Sequence, residues 1–174
     1  MTKYVALLRK INVGGKNLMK MDALREAFEA AGLKNVRTFQ QAGNVVFEGT
    51  NANRLEKLVS QAFNADVRLL VFSLDELAKL TKQDPFKRVK PGDDVMLCVV
   101  FLFDKPAAIP KLPLKSTSDK LELIAIRDRA AFVVARRKKT GWFGFPNSFV
   151  EKQLGVTATT RQWSTVKKLI DFAQ

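Results

Sequence analysis

The sequence predicts an α/β protein of the α+β kind, made of two ferredoxin-like subdomains of which the second is degenerate. Short runs rich in Val, Leu and Phe alternate with stretches whose apolar residues recur at helical spacing. In the first half these segments follow the order β-α-β-β-α-β, the split βαβ unit. This order predicts a four-stranded antiparallel sheet with both helices on one face.

The elements of the first half follow from periodicity and turn chemistry. Gln41–Asn44 is a turn between two strands, because glycine and asparagine tolerate positive φ. Gly32 ends the first helix, and Asn51 or Asn53 caps the second. The predicted segments are a strand Tyr4–Val13, a helix from Met21, strands Val36–Gln40 and Val45–Gly49, a helix from Leu55 to Phe63 and a strand Val67–Phe72.

The second half contains strands followed by helices. Before these strands, Ser73 and Glu76 have the spacing of a capping box, which predicts a short helix Leu74–Lys82 that begins after Ser73. The segments predicted after it are a strand Val95–Phe103, an extended connector Lys105–Ser116, a hairpin of Leu121–Arg127 and Ala131–Arg136, a short helix near Ser148–Leu154, and a last helix capped at Thr159 or Thr160. We therefore expect a ferredoxin-like subdomain at 1–82, a linker at 83–94 and a second subdomain at 95–174 packed on the first.

Composition restricts the available chemistry. The 174 residues contain no histidine, which excludes a Ser-His-Asp triad, a Cys-His pair and a His-ligated zinc site. The single cysteine, Cys98, lies in an apolar run, so we expect no disulfide, a reducing compartment and a cytoplasmic protein. No apolar run approaches the roughly 20 residues that span a bilayer. The sequence predicts no metal, no cofactor and no membrane contact.

The charge balance favours a polyanionic partner. Thirty basic and 17 acidic residues give a formal net charge of +13. Such an excess attracts phosphate-bearing molecules, although general basicity is the alternative explanation.

The stretch Ile11–Asn17, "INVGGKN", has the ingredients of a phosphate loop. It matches neither the Walker pattern, since Lys10 stands at the leading-glycine position, nor the dinucleotide fingerprint. Paired glycines and a lysine still allow an anion nest, and an ordinary turn is the alternative. Strand directions bring this turn next to Gln41–Asn44. The rim predicted to bind an anion comprises Asn12, Gly14, Gly15, Lys16, Asn17, Gly43 and Asn44.

A second group of candidate residues lies between Arg136 and Arg161. Four consecutive cations precede Gly-Trp-Phe-Gly-Phe-Pro, and cations beside flat rings suit single-stranded nucleic acid. The alternative is that these rings insert into the core, and that the threonines near Arg161 only cap a helix. The candidates are Arg136, Arg137, Lys138, Lys139, Trp142, Asn147, Glu151, Thr160 and Arg161.

Several motifs together resemble a bacterial family catalogued as domain of unknown function 1697. They are "LRKINVGGKN", "M..LR", "V.T....GNVVF" and "ATTR.W.TV.KL". The family pattern usually has Gly at Lys10, Ser at Ala42, and Asn at Gln162 and Ser164. The resemblance implies an α/β fold with ferredoxin-like subdomains and implies no activity.

The combined expectation is a protein that binds a phosphate-bearing ligand through the rim and the basic patches. The partner would be nucleic acid or a phosphorylated small molecule. The alternative is an enzyme acting on a small phosphorylated or acyl metabolite in a cleft between the subdomains. The oligomeric state is left open.

Overall fold

The computed structural model describes residues 2–9, 19–49, 54–63 and 66–174. The chain divides into two compact units: unit 1 comprises Met1–Lys79 with Leu169–Gln174, and unit 2 comprises Leu80–Lys168. Among the described residues, no helix has both the length and the apolar composition needed to cross a bilayer.

Unit 1 has the predicted β-α-β-β-α-β order. Its elements are β1 (Lys3–Leu8), α1 (Met21–Ala30), β2 (Lys34–Phe39), β3 (Asn44–Glu48), α2 (Leu55–Phe63) and β4 (Leu69–Ser73), with α3 (Leu74–Lys82) following directly. The sheet order is β2-β3-β1-β4 with antiparallel neighbours, so the ferredoxin-like prediction is confirmed. The capping box is also present: Ser73 N donates to Glu76 Oε2 at 2.6 Å, and Glu76 N donates to Ser73 Oγ at 3.2 Å.

Both faces of this sheet are buried. On one face Ala6 and Phe47 pack with Leu24 of α1 and Val59 of α2 in a single hydrophobic cluster. Side chains of the opposite parity, such as Val5, Leu7, Val46 and Phe72, are buried as well.

The C-terminal residues of the chain pack on that second face within unit 1. Arg37 Nη2 donates to the Phe172 carbonyl at 2.9 Å, and the Phe39 and Phe172 rings lie 5.1 Å apart. The nearly continuous apolar run in β1 is what a strand buried on both faces requires.

Unit 2 repeats the strand order of unit 1 with one replacement. Its elements are β5 (Val95–Leu102), β6 (Leu114–Ser116), β7 (Leu121–Arg127), β8 (Ala130–Arg136), α4 (Pro146–Leu154) and β9 (Ala158–Gln162), and α5 (Trp163–Ala173) begins in this unit. The antiparallel order β6-β7-β8-β5-β9 matches that of unit 1 when β5, β7, β8 and β9 take the places of β1 to β4. An extended segment with the added edge strand β6 replaces the first helix.

The sheet of unit 2 is also buried on both faces. On one face Val100 and Val133 pack with Phe149 and Val150 of α4. On the other face lie three aromatic rings in edge-to-face contact. These rings belong to Phe86, Phe132 and Trp163, and their centroids are 5.3–6.2 Å apart.

One prediction for the second half is wrong in detail. Residues Ala158–Gln162 form an edge strand paired with β5, and the last helix begins at Trp163 rather than after a cap at Thr159 or Thr160. β-Branched threonines suit a pleated edge, so pairing with β5 prevails over local capping. Within the predicted extended connector Lys105–Ser116, residues Leu114–Ser116 pair with β7 as the edge strand β6, a pairing that the sequence did not predict.

The buried position of Cys98 gives a chemical prediction. The side chain is 1% exposed in β5, and burial raises its pKa to about 12. Because the thiolate is the reactive form, the native protein should react with a thiol reagent very slowly at about pH 8. Unfolding in urea should release one reactive thiol. Rapid stoichiometric labelling of the native protein, measured by mass spectrometry, would contradict this packing.

Candidate nucleic-acid interface

The predicted rim is described only at its hairpin side. Asn12, Gly14, Gly15, Lys16 and Asn17 lie outside the described residues. Leu8 N donates to the Gly43 carbonyl at 2.8 Å, so the end of β1 lies beside the turn between β2 and β3. The position of the glycine turn beside it stays a prediction.

Asn44 supports the hairpin from inside. The residue is fully buried, and its Nδ2 donates to the Phe39 carbonyl across the turn at 3.1 Å. Gly43 adopts φ 69°, in the left-handed region that glycine enters without strain. This hydrogen bond agrees with the alternative given above, in which asparagine holds the turn.

The second candidate group forms a loop in unit 2, residues 136–145, which we call the aromatic-basic loop. Its backbone closes a turn, since Gly141 N donates to the Lys138 carbonyl at 2.9 Å and Lys138 N to the Trp142 carbonyl at 2.8 Å. The Arg137 guanidinium donates to the Gly141 carbonyl at 2.9 Å and the Asp93 carbonyl at 2.6 Å. Arg137 therefore fixes the loop.

Lys138 is likewise engaged within the protein. Its ammonium lies 2.8 Å from Asp119 Oδ1. The hydrogen bond and the charge of Lys138 lower the pKa of the Asp119 carboxyl. This pair connects the loop to the turn that precedes β7.

Gly144 allows the same two segments to approach closely. A Cβ atom added there would lie 2.6 Å from the Asp119 carbonyl oxygen and 3.2 Å from Leu121 Cδ1. Since the first of these is a backbone atom, any side chain at position 144 would displace one of the two segments.

The loop presents two large rings to solvent. Trp142 is 77% exposed and Phe145 is 79% exposed, the highest values among the large apolar side chains that the structure describes. Phe143, between them, is half-buried, and the Arg137 guanidinium lies 4.8 Å from its ring centroid. Of the three rings that the alternative places in the core, Phe143 packs against the core cluster of unit 2, whereas Trp142 and Phe145 are exposed.

A groove of about 320 Å³ lies beside the loop, and we call it the basic groove. Its cations are Lys115, Lys120 and Arg136, and its one carboxylate, Glu122, lies 3.7 Å from Lys115. Leu121, which also lines this groove, is one of the two residues that lie close to Gly144. The remaining lining residues are Ser116, Thr117 and Val134.

Lys115 and Lys120 were not among the residues predicted from the sequence. They lie at least sixteen positions before Arg136 in the chain, and only the pairing of β6, β7 and β8 brings them beside it. Arg136 N donates to the Lys120 carbonyl at 2.9 Å. A sequence signal existed only as the lysines at either end of "KSTSDK".

The four remaining candidates are engaged in contacts of β9. Thr160 Oγ1 bonds Asn147 Oδ1 at 3.0 Å, and Ala158 N donates to Glu151 Oε1 at 2.9 Å, so α4 is held to β9. Arg161 is 8% exposed and donates to Thr159 Oγ1 and the Thr160 carbonyl, both at 2.9 Å.

Burial lowers the pKa of Arg161 to about 10, because it disfavours the charged form. Thr160 and Arg161 belong to β9, which directly precedes α5, and their role in binding an anion stays a prediction. The enzymatic alternative, which needs Glu151 and Arg161 beside the rim, stays a prediction.

Among the described residues, no three His, Cys, Asp or Glu side chains form a group that could hold a metal ion.

Fold and surface together define a two-unit α+β protein with antiparallel sheets and an exposed aromatic and basic loop. The chain belongs to the family described as "Protein of unknown function (DUF1697)", whose family model matches residues 1–132. The aromatic-basic loop begins after the matched residues.

The fold is similar to that of a solved bacterial protein. The structure of conserved bacterial protein SP0830 from Streptococcus pneumoniae has a TM-score of 0.65, 18% sequence identity, and alignment over 99% of each chain. At this identity the likeness concerns the fold alone. No curated protein is significantly similar in sequence.

The close approach at Gly144 gives a testable prediction. Gly144→Ala should lower the free energy of unfolding by about 1–3 kcal/mol, because the new methyl group overlaps a backbone oxygen. Gly92→Ala is the matched control, since its Cβ would lie 2.7 Å from the movable Asp94 carboxylate instead. Urea denaturation measures both. Equal effects of the two substitutions would contradict the proposed packing of the loop.

Proposed function

We propose that unit 2 binds single-stranded nucleic acid on the aromatic-basic loop and the adjoining basic groove. Bases would stack on Trp142 and Phe145. Phosphates would lie against Arg136, Lys139 and the lysines of the basic groove.

The exposure of Trp142 and Phe145 is the observation that carries this proposal. Two large rings, three positions apart, remain more than three-quarters exposed on one loop. Leaving such area in water forgoes the free energy that burial of a ring normally supplies. Exposed apolar side chains surrounded by polar residues mark binding surfaces, and flat rings bind any base because every base has a π-face.

The cations around these rings divide into two kinds. Arg137 and Lys138 hold the loop through the carbonyls and the Asp119 carboxylate described above. The side chains of Arg136, Lys120 and Lys139 are exposed, and among the described residues they make no hydrogen bond or ion pair. They are therefore free to neutralise phosphates, and the net charge of +13 attracts the strand from a distance.

The pair formed by Lys115 and Glu122 does not prevent phosphate binding. The Lys115 side chain is 67% exposed in this pair, and the nitrogen to oxygen distance is 3.7 Å. Exposed pairs of this kind contribute about 0–1 kcal/mol. A phosphate can therefore displace Glu122 at small cost.

The loop is already ordered before it binds. Its turn, its two carbonyl contacts through Arg137 and its ion pair to Asp119 are formed within the protein. A preformed surface avoids the ordering cost that a mobile loop pays on binding. A single strand fits this surface better than a duplex, because paired bases already stack on each other and offer no free face.

The proposal predicts the effects of removing each exposed ring. Trp142→Ala and Phe145→Ala should each weaken binding of a short oligothymidylate about 5- to 150-fold, since one stacked base contributes about 1–3 kcal/mol. Ile109→Ala is the matched control, because Ile109 is a 61% exposed apolar residue of unit 2 outside the loop. Quenching of Trp142 fluorescence gives the affinity of wild type, Phe145→Ala and Ile109→Ala for the strand. Fluorescence anisotropy of a labelled strand gives the affinity of all four proteins, including Trp142→Ala.

The same titration at several salt concentrations tests the contribution of the phosphates. The slope of log K against log salt should become shallower by about 0.7 for each cation removed in Arg136→Gln and Lys139→Gln. Lys57→Gln, on the exposed face of α2, should leave the slope unchanged. Absence of binding at low salt, or equal losses in the Ile109 control, would contradict the proposed function.

A further inference from the structure

We infer that a second groove of unit 2, beside Phe143 and Gln162, accepts one nucleobase of the bound strand and prefers adenine. This inference rests on the proposed function for the strand, but it assigns a separate place and a base specificity. The groove has a volume of about 460 Å³, which lies in the range of roughly 300–1,000 Å³ that is typical of small-molecule sites.

The lining of this groove suits a flat ring with a polar edge. Met96, Leu97 and Phe143 supply apolar surface, and Gln162, Ser164 and Lys167 supply polar groups. Sulfur and aromatic contacts are favourable to flat π-systems. The Arg137 guanidinium, 4.8 Å from the Phe143 centroid, holds that ring at the border of the groove.

The charge of the groove distinguishes it from the basic groove. Its charged side chains are one carboxylate, Asp93, and one ammonium, Lys167. The basic groove has three cations and one carboxylate. A neutral base therefore fits the groove beside Phe143 and Gln162, and a phosphate fits the basic groove. Phe143 borders the groove beside Gln162, while its neighbour Gly144 packs on Leu121, which lines the basic groove.

Gln162 has the chemistry to recognise the edge of the base. Within the part of the chain that the structure describes, its Nε2 donates only to the Met96 sulfur, at 3.7 Å, and a thioether is a weak acceptor. A base nitrogen or carbonyl would be a stronger partner, so this contact is easily exchanged. The amide offers a donor and an acceptor side by side, which complements the N6 and N7 positions of adenine. Ser164 is exposed and, among the described residues, makes no side-chain hydrogen bond.

The groove lies within reach of a strand on the loop. Phe143 borders the groove and follows Trp142 directly in the chain. Adjacent Cα atoms are about 3.8 Å apart. A base stacked on Trp142 and a base inserted beside Phe143 can therefore be neighbours in one strand.

Binding of the four nucleoside monophosphates to the full chain, measured by calorimetry and ligand-observed NMR, tests the inference. AMP should bind about tenfold more tightly than CMP, GMP or UMP, the discrimination expected of a bidentate amide contact. Gln162→Leu should remove this preference, and Gln162→Glu should shift it towards CMP, because a carboxylate accepts from the cytosine amino group. Gln153→Leu is the matched control, an exposed glutamine of α4 that does not line the groove.

The outcomes separate this inference from the proposed function. AMP binding that depends on Gln162, without oligothymidylate binding, would support the groove and contradict the proposed function. Oligothymidylate binding without any preference for AMP would overturn the groove assignment and leave the proposed function standing. A preference for AMP that survives Gln162→Leu would also overturn it.

Discussion

The antiparallel pairing of β8 with β7 is the constraint on which the candidate site depends. The register places Leu121 opposite Ala135 and leaves Arg136 beside the turn that carries Lys120. The chain leaves the sheet after Arg136, and the loop that follows leads to α4, which begins at Pro146. The close approach of Gly144 to Asp119 and the ion pair from Lys138 to Asp119 hold this loop against the turn.

This arrangement separates structural cations from available ones. Two of the four consecutive cations, Arg137 and Lys138, fix the loop through carbonyls and a carboxylate. The other two, Arg136 and Lys139, are exposed at its sides. Consecutive cations in a sequence are therefore not equivalent, and only the local backbone shows which of them can meet a ligand. The exposed rings then lie on a framework that is already ordered.

Local patterns predicted most of the elements. The helical stripe starting at Leu55 corresponds to α2, and the capping box of Ser73 and Glu76 is formed as predicted. Periodicity and capping suffice there because the determining contacts are close in sequence. The strand at Ala158–Gln162 was missed because its pairing with β5 is distant in sequence.

The candidate site was less predictable than the fold. The sequence identified the loop but left open whether Trp142 is buried, since burial depends on what packs around it. Lys115 and Lys120 join the site only through the sheet register. From the sequence, Gln162 was noted only as a departure from a family pattern. Its place in a groove depends on β9, a strand that was not predicted.

Photocross-linking of an oligonucleotide that contains 5-iodouracil tests the central claim most directly, because that base cross-links to the aromatic side chains on which it stacks. The account predicts that the label is found on the tryptic peptide 140–152, at Trp142 or Phe145, and that the yield falls as salt is raised. Cross-links confined to other peptides, while binding persists, would contradict the placement of the strand on the aromatic-basic loop.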